Sequence, residues 1–270
     1  VKKTLHHMRL GGVYDHIGLG FHRYSTDRQW FLPHFEKMLY DQAMISMACL
    51  EAFQLTGNEE YAQIAREIFT YVLRDMTDKD GGFYSAEDAD SEGEEGIFYI
   101  WTEKEFMEVL GEEKGKMLAK IYGFTEIGNF HEEATGETTG NNIPHFPYDH
   151  SSLASKVGMN LEVFNSFIES TREQLFNVRK KRIHPLKDDK ILTDWNGLMI
   201  AALSHGGQIL GDDIFIDAAK NAADFVLTSL RNKNGRLMKR SRLGKAGLPP
   251  HLDDYSFMVF GLLNLYEATF

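Results

Sequence analysis

Leu192-Thr193-Asp194-Trp195-Asn196-Gly197 runs directly into residues 198–210, LMIAALSHGGQIL, which have almost no hydrophilic face. The same succession occurs twice more. His34-Phe35-Glu36-Lys37-Met38-Leu39-Tyr40-Asp41 leads into an apolar run ending near residue 55, and His251-Leu252-Asp253-Asp254-Tyr255 precedes residues 257–268. A helix that is apolar on every side must be enclosed by protein. Three such helices, each preceded by acids, amides and aromatics, predict an inner ring of helices with a polar mouth. Residues 38–55, 198–210 and 257–268 are expected to be neighbours, with Asp41, Asp194 and Asp254 at one end.

Working outward, the chain repeats itself. Gly57 matches Gly211, Tyr61 matches Phe215, Ala65 matches Ala219, Val72-Leu73 matches Val226-Leu227, and Gly81 matches Gly235, all at an offset of 154 residues. With a one-residue slip the match extends back to Asp41 and Asp194. The shared unit is an apolar helix, a Gly turn, a second helix and a Gly-containing loop. In the second helix Tyr61, Ile64, Ala65, Ile68, Phe69, Val72, Leu73 and Met76 follow the i, i+3, i+4, i+7 rule, which gives one buried stripe and one wet face. Enclosed helices alternating with one-sided ones fit two concentric rings, so the expected fold is all-α, a toroid of helical hairpins.

The chain is expected to form a single domain over residues 1–270 that starts and stops within a repeat. Residues 5–10 read as the tail of an outer helix, and residues 263–269 align with residues 50–56. Residues 97–157 are expected to be an irregular insertion. There, residues 96–101 alternate like a strand, residues 103–122 read as two short helices, and residues 128–150 are rich in Gly, Asn, Thr and Pro. Residues 161–182 resume as an amphipathic outer helix. Its closing Arg179-Lys180-Lys181-Arg182 reads as a basic patch with a structural role, where cations suit the helix dipole.

Composition narrows the function. The formal charge is −11, from 40 acids against 29 bases, and it repels phosphate backbones, so a nucleic-acid partner is not expected. No run approaches the roughly 18–20 apolar residues of a membrane helix, so no membrane partner is expected. Cys49 is the one cysteine; it excludes an internal disulfide, reads as an inert core thiol, and makes a reducing, cytoplasmic location the default.

Loops leaving the outer helices should meet the N-termini of the inner helices, whose unpaired N–H groups attract carboxylates and electron-rich oxygens. Asp41, Asp194 and Asp254 therefore read first as N-caps. Capping does not account for the residues beside them. One dense group contains Tyr14, Asp15, His16, His22, Arg23, Tyr24, Trp30, His34, Glu36, Lys37 and Tyr40. A second runs from Gly81 to Glu95 and holds Glu87, Asp88 and Asp90 among six acids in nine residues. His16, His22 and His34 have no standard zinc spacing and the acids lack EF-hand spacing, so neither a metal nor another cofactor is expected. Carboxylates beside aromatic faces suit a carbohydrate or other polyol, because rings stack on C–H surfaces while carboxylates accept hydroxyl hydrogens.

GGVYDHIGLGFHRYS (residues 11–25), WFLPHFEKMLYDQA (30–43), GGFYSAEDADSEGEEGIFYIW (81–101), LTDWNGLMIAAL (192–203) and LDDYSFMVFGLLNLYEATF (252–270) closely resemble the helical domain of the thioredoxin-domain family that includes spermatogenesis-associated proteins. The resemblance covers almost the whole chain. It implies a partial (α/α)6 toroid of the six-hairpin glycosidase class, similar to N-acylglucosamine 2-epimerases, and a thioredoxin-like domain as partner in the full-length chain. Leu19 departs from the pattern, standing where a glycine is expected.

Two functions follow. The first is a carbohydrate-active domain. As an epimerase it needs two proton-transfer groups on opposite faces of a carbon, and His22, His34 and His251 are the candidates, with Arg23 on the carbonyl and Trp195 as a stacking wall. As a glycosidase it needs a carboxylate pair, drawn from Glu36, Asp41, Glu87, Asp88, Asp194 and Asp254. Tyr14, His16, Tyr24, Lys37, Tyr40, Asp90, Asn196 and Tyr255 complete the expected substrate contacts. The second is a non-catalytic module binding a glycan or a protein for the attached redox domain.

Overall fold

The computed structural model describes residues 1–130 and 139–270; part of the Gly- and Asn-rich stretch read from the sequence lies outside the described residues. Along the chain the helices are α1 (Lys2–Leu10), α2 (Leu39–Thr56), α3 (Glu59–Asp75), α4 (Glu103–Leu110), α5 (Glu112–Ile121), α6 (His150–Lys156), α7 (Leu161–Arg179), α8 (Thr193–Leu210), α9 (Asp213–Ser229) and α10 (Leu252–Thr269). Short strands join them: β1 (Tyr24–Ser25), β2 (Pro33–His34), β3 (Lys37–Met38), β4 (Ala86–Glu87), β5 (Asp90–Ser91), β6 (Glu94–Glu95), β7 (Lys187–Asp188), β8 (Ile191–Leu192), β9 (Arg240–Arg242) and β10 (Lys245–Gly247). The helical character and the hairpin organisation are as expected. The two- and three-residue strands are too short to leave a period in the sequence.

The chain divides into two compact units, Val1–Glu36 with Ala89–Leu186, and Lys37–Asp88 with Lys187–Phe270. The second contains the repeat. α2 packs on α3 and α8, and α8 packs on α9 and α10. The offset of 154 holds without the slip: Leu39–Thr56 maps onto Thr193–Leu210 and Glu59–Asp75 onto Asp213–Ser229. Gly57 and Gly211 each end an inner helix in the left-handed region at φ 65°, where a side chain is disfavoured. The strand pair Met38–Ala86 recurs as Leu192–Arg240. Even single backbone bonds recur, Leu39 N–H to Ser85 O as Thr193 N–H to Lys239 O.

That register corrects the alignment read from sequence. Asp194 is equivalent to Tyr40, and Asp41 to Trp195. It also corrects the capping expectation for these two acids. The N-caps are Met38 and Leu192, neither with a side-chain cap, and both acids lie inside the first turn. The backbone carbonyls of Ser85 and Lys239 meet the leading N–H groups instead.

α8 and α10 touch backbone to backbone, but α10 is not enclosed as its apolar sequence led one to expect, since Val259, Phe260, Leu263 and Tyr266 are exposed. A Cβ on Gly197 would sit 2.5 Å from the Phe257 carbonyl carbon, and one on Gly261 would sit 2.5 Å from the Gly197 oxygen. Cys49 is buried in α2. Among the described residues no helix is long and apolar enough to cross a membrane.

The first unit holds α1 and α4–α7 around a core that includes Ile17, Trp101, Phe106, Leu118, Tyr122, Phe164 and Leu175. Residues 103–122 form the two helices expected. Residues 96–101 do not form a strand: Tyr99 and Ile100 N–H groups turn back to the Gly96 carbonyl, and Trp101 makes an isolated bridge to Asn142. Here alternation reflected a tight turn with buried aromatics. In the basic patch Lys180 and Lys181 are exposed and the two arginines are structural. Arg179 is buried in a bidentate pair with Asp15, at 2.8 and 2.7 Å. Arg182 donates to the Phe98 and Ile100 carbonyls and to Glu105. Leu19 adopts φ 70° in a buried turn, the conformation that makes glycine the easy choice there.

Candidate functional site

In the second unit the N-termini of the inner helices come together. The rings of Tyr40, from α2, and Trp195, from α8, meet edge to face with centroids 4.8 Å apart. Lys239, from the loop entering β9, joins the other pair: its Nζ lies 2.6 Å from Asp194 Oδ2 on α8 and 3.3 Å from Asp254 Oδ1 on α10. The expectation that these helices start at one end is therefore met for this unit. Burial works against the Lys239 charge, but the hydrogen bond and charge of Asp194, then those of Asp254, hold its ammonium above the ordinary lysine range.

The two acids differ in reach. Asp254 is fully buried, and its second oxygen accepts the His251 backbone N–H at 2.7 Å, closing the first turn of α10. Asp194 keeps a little exposure beside Trp195. Its neighbour Asn196 is completely enclosed: Oδ1 accepts the Phe83 N–H, and Nδ2 donates to the Phe83 and Leu192 carbonyls. Both amide donors are thereby committed to backbone. His251, Tyr255 and Asp88 are exposed and Asp41 is half-buried.

A second group lies on the β3–β4–β7 sheet of the same unit. Lys37 is buried with its ammonium 4.4 Å from the Tyr71 ring centre, and Tyr71 donates to Glu87 Oε2 at 2.7 Å. Lys187 approaches the other Glu87 oxygen at 3.4 Å.

The remaining candidates belong to the first unit, because the division falls between Glu36 and Lys37. His22 is buried against Phe35 and Tyr99, and its Nδ1 donates to the Phe35 carbonyl at 2.9 Å. Arg23 pairs with Glu36 at 2.7 Å. His34 stands between Glu95 at 2.7 Å and Glu36 at 3.4 Å, with Tyr24 stacked on its ring. Tyr14 is buried with Arg9 over its face, and Asp90 is exposed on β5. His16 is enclosed by Tyr14, Tyr122 and Phe146; its Nε2 donates to the Gly11 carbonyl, while Arg9 donates to Nδ1.

Burial, then the Arg9 charge, push the His16 imidazole well below its ordinary value of 6.5. The unfolded chain takes up a proton near that pH which the folded chain refuses. This contribution to stability is therefore present above pH 6.5 and lost as pH falls. In an NMR titration the His16 ring should stay neutral at pH values below 6.5 where an unperturbed imidazole takes up its proton. An ordinary midpoint for His16 would contradict this environment.

Sequence reasoning missed Lys239, Tyr71 and Lys187, and took Glu95 only as the end of an acidic run without its His34 partner. Lys239 had a usable signal, since it follows the Gly235 loop at the place Ser85 holds after Gly81. The others depend on strand pairings that the sequence does not display.

No family model matches the chain. Human spermatogenesis-associated protein 20 is 43% identical over 98% of the chain. The chain is a homologue of spermatogenesis-associated protein 20. It spans 37% of the length of that relative. Among solved structures it is similar to the unsaturated glucuronyl hydrolase of Bacillus sp. GL1, with 12% identity, a TM-score of 0.48 and coverage of 97% of this chain and 46% of that one. It is also similar to the cellobiose 2-epimerase of Spirochaeta thermophila, with 15% identity, a TM-score of 0.28 and coverage of 97% and 78%.

Proposed function

We propose that the chain handles carbohydrate at the N-terminal end of α2, α8 and α10, with Asp194 as the group that meets the sugar. The observation that supports this reading most is the Lys239 bridge between Asp194 and Asp254, set beside the Tyr40–Trp195 pair. Aromatic rings offer a face for C–H surfaces, and a carboxylate held by an ammonium accepts hydroxyl hydrogens in a fixed direction. Asp254 and Lys239 act as positioning residues, since Asp254 is enclosed and committed at both oxygens. Within this unit a lysine, not a histidine, stands between the acids, which favours carboxylate-driven hydrolysis over epimerisation through a histidine pair. A second carboxylate for hydrolysis would come from Asp41, Glu87 or Asp88.

The enclosure of Asp254 also supports a second reading, a glycan-binding module without turnover that serves an attached thioredoxin-like domain. The excess of acids supports the absence of a nucleic-acid partner, and the single buried cysteine supports a cytoplasmic setting.

Aryl glycosides and equilibrium binding of the matching sugars test the reading on the full-length protein. Asp194→Asn should lower turnover by about 10²–10⁴ while leaving sugar binding within a few-fold. Wild-type turnover in Asp194→Asn would remove Asp194 from the chemistry, and binding without turnover in the wild type would leave the binding module.

A further inference from the structure

The exact repeat shows that one polar cluster has no counterpart in the second copy. Lys37, Tyr71 and Glu87 are matched, at the 154-residue offset, by Ile191, Phe225 and Ser241. In the first copy these positions form the cation-π contact, the Tyr71–Glu87 hydrogen bond and the Lys187–Glu87 ion pair. In the second copy every one of those interactions is deleted. Even the cross-strand partner changes, from Lys187 opposite Glu87 to Ala246 opposite Ser241.

The second copy has a cleft of about 430 Å³ there, lined by Ile191, Phe225 and Ser241 themselves. That volume lies within the range of small-molecule sites, roughly 300–1,000 Å³. Ser241 is 4% exposed, and among the described residues its hydroxyl has no hydrogen-bond partner. Around the mouth Tyr84 donates to Asp78 at 2.7 Å, and Arg242 pairs with Asp189 at 2.6 Å. Burial and then the Asp78 hydrogen bond push the Tyr84 phenol up to about 12, so it keeps its proton.

We propose that this cleft is a separate binding site for one neutral monosaccharide unit. The C–H face of the sugar would rest on Phe225, and its hydroxyls would reach Ser241, the Asp78–Tyr84 pair and the Arg242–Asp189 pair. An apolar wall with a few convergent hydroxyl, carboxylate and guanidinium groups is the chemistry that recognises a polyol. Asp78, Asp80 and Asp189 outnumber Lys79 and Arg242 along the lining, which disfavours an anionic sugar. The proposal shares with the preceding section the reading that the chain handles carbohydrate, but uses none of the same side chains.

The repeat itself supplies the test. Phe225→Tyr with Ser241→Glu refills the cleft with residues that the equivalent backbone already carries. Binding of D-glucose and N-acetyl-D-glucosamine is followed by NMR at the Ser241 amide (residue 241 in the variants) and the Ile191 methyls. The wild type should show saturable shifts there, and the refilled variant should weaken binding by about tenfold or more, equivalent to about 1.4 kcal/mol. Ser241→Ala, which removes the hydroxyl and adds no bulk, should weaken it in the same direction and serves if the double variant does not fold. Asp194→Asn should leave the response at Ser241 and Ile191 unchanged. Unaltered binding in folded refilled and Ser241→Ala variants would overturn the proposal, as would D-glucuronate binding as well as D-glucose, or no response to either neutral sugar. Loss through Asp194→Asn alone would assign the binding to the other site and also overturn it.

Discussion

Replacing Arg179 by methionine should destabilise the protein by about 3–5 kcal/mol, the range found when one partner of a buried ion pair is removed. Both side chains are 3% exposed, so the Asp15 carboxylate would be left charged and out of water. Asp15 also accepts the Ile17 and Gly18 N–H groups, so the loss would loosen the turn that holds Leu19 in its left-handed conformation. Urea unfolding of Arg179→Met against the wild type measures the effect. A change below about 1 kcal/mol, the surface-pair range, would show that the pair is not buried as described.

The second large effect is expected where α8 crosses α10. Gly197→Val should cost about 3 kcal/mol, at the upper end of the usual overpacking range. The first added carbon would meet backbone of Phe257, which has no rotamer through which to give way. Gly261→Ala should act in the same direction against the Gly197 carbonyl. Gly247→Ala is the control: nothing lies within 4 Å of its added Cβ, so its effect should stay within about 0.5 kcal/mol. Equal melting of the Gly197 variant and the wild type would mean that the two inner helices are not in backbone contact.

Helices and their pairing were legible because their signals are long. The apolar run from residue 198 to 210 and the stripe from Tyr61 to Met76 each extend over several turns, and the glycines at 57 and 211 mark equivalent helix ends. The register was less so. Asp41 and Asp194 look equivalent in sequence because both precede an apolar run, yet the strand pairs Met38–Ala86 and Leu192–Arg240 place them one residue apart. A two-residue strand leaves no pattern, and its partners lie about fifty residues away.

The candidate site was readable in type more than in membership. Asp194, Trp195, Tyr40 and Asp254 were picked for their place before inner helices; the structure pairs the Tyr40 and Trp195 rings and, separately, joins Asp194 to Asp254 through Lys239. The density of polar residues between Tyr14 and Asp41 had another cause. His16 fills an aromatic core, and Arg23, Glu36, His34 and Glu95 form a chain of polar contacts within the other unit. Asn196, chosen as a sugar contact, is instead a backbone clamp on Phe83. Composition cannot separate a polar group that faces a ligand from one that replaces a backbone partner, because both require the same residue types.

The most direct measurement is a crystal structure of the full-length protein soaked with a neutral disaccharide. The account predicts a sugar ring against Trp195 and Tyr40 with a hydroxyl or glycosidic oxygen within hydrogen-bond distance of Asp194, and Lys239 still bridging Asp194 and Asp254. A sugar bound away from Trp195 with Asp194 untouched, or the loss of the Lys239 bridge in the sugar-free protein, would contradict it.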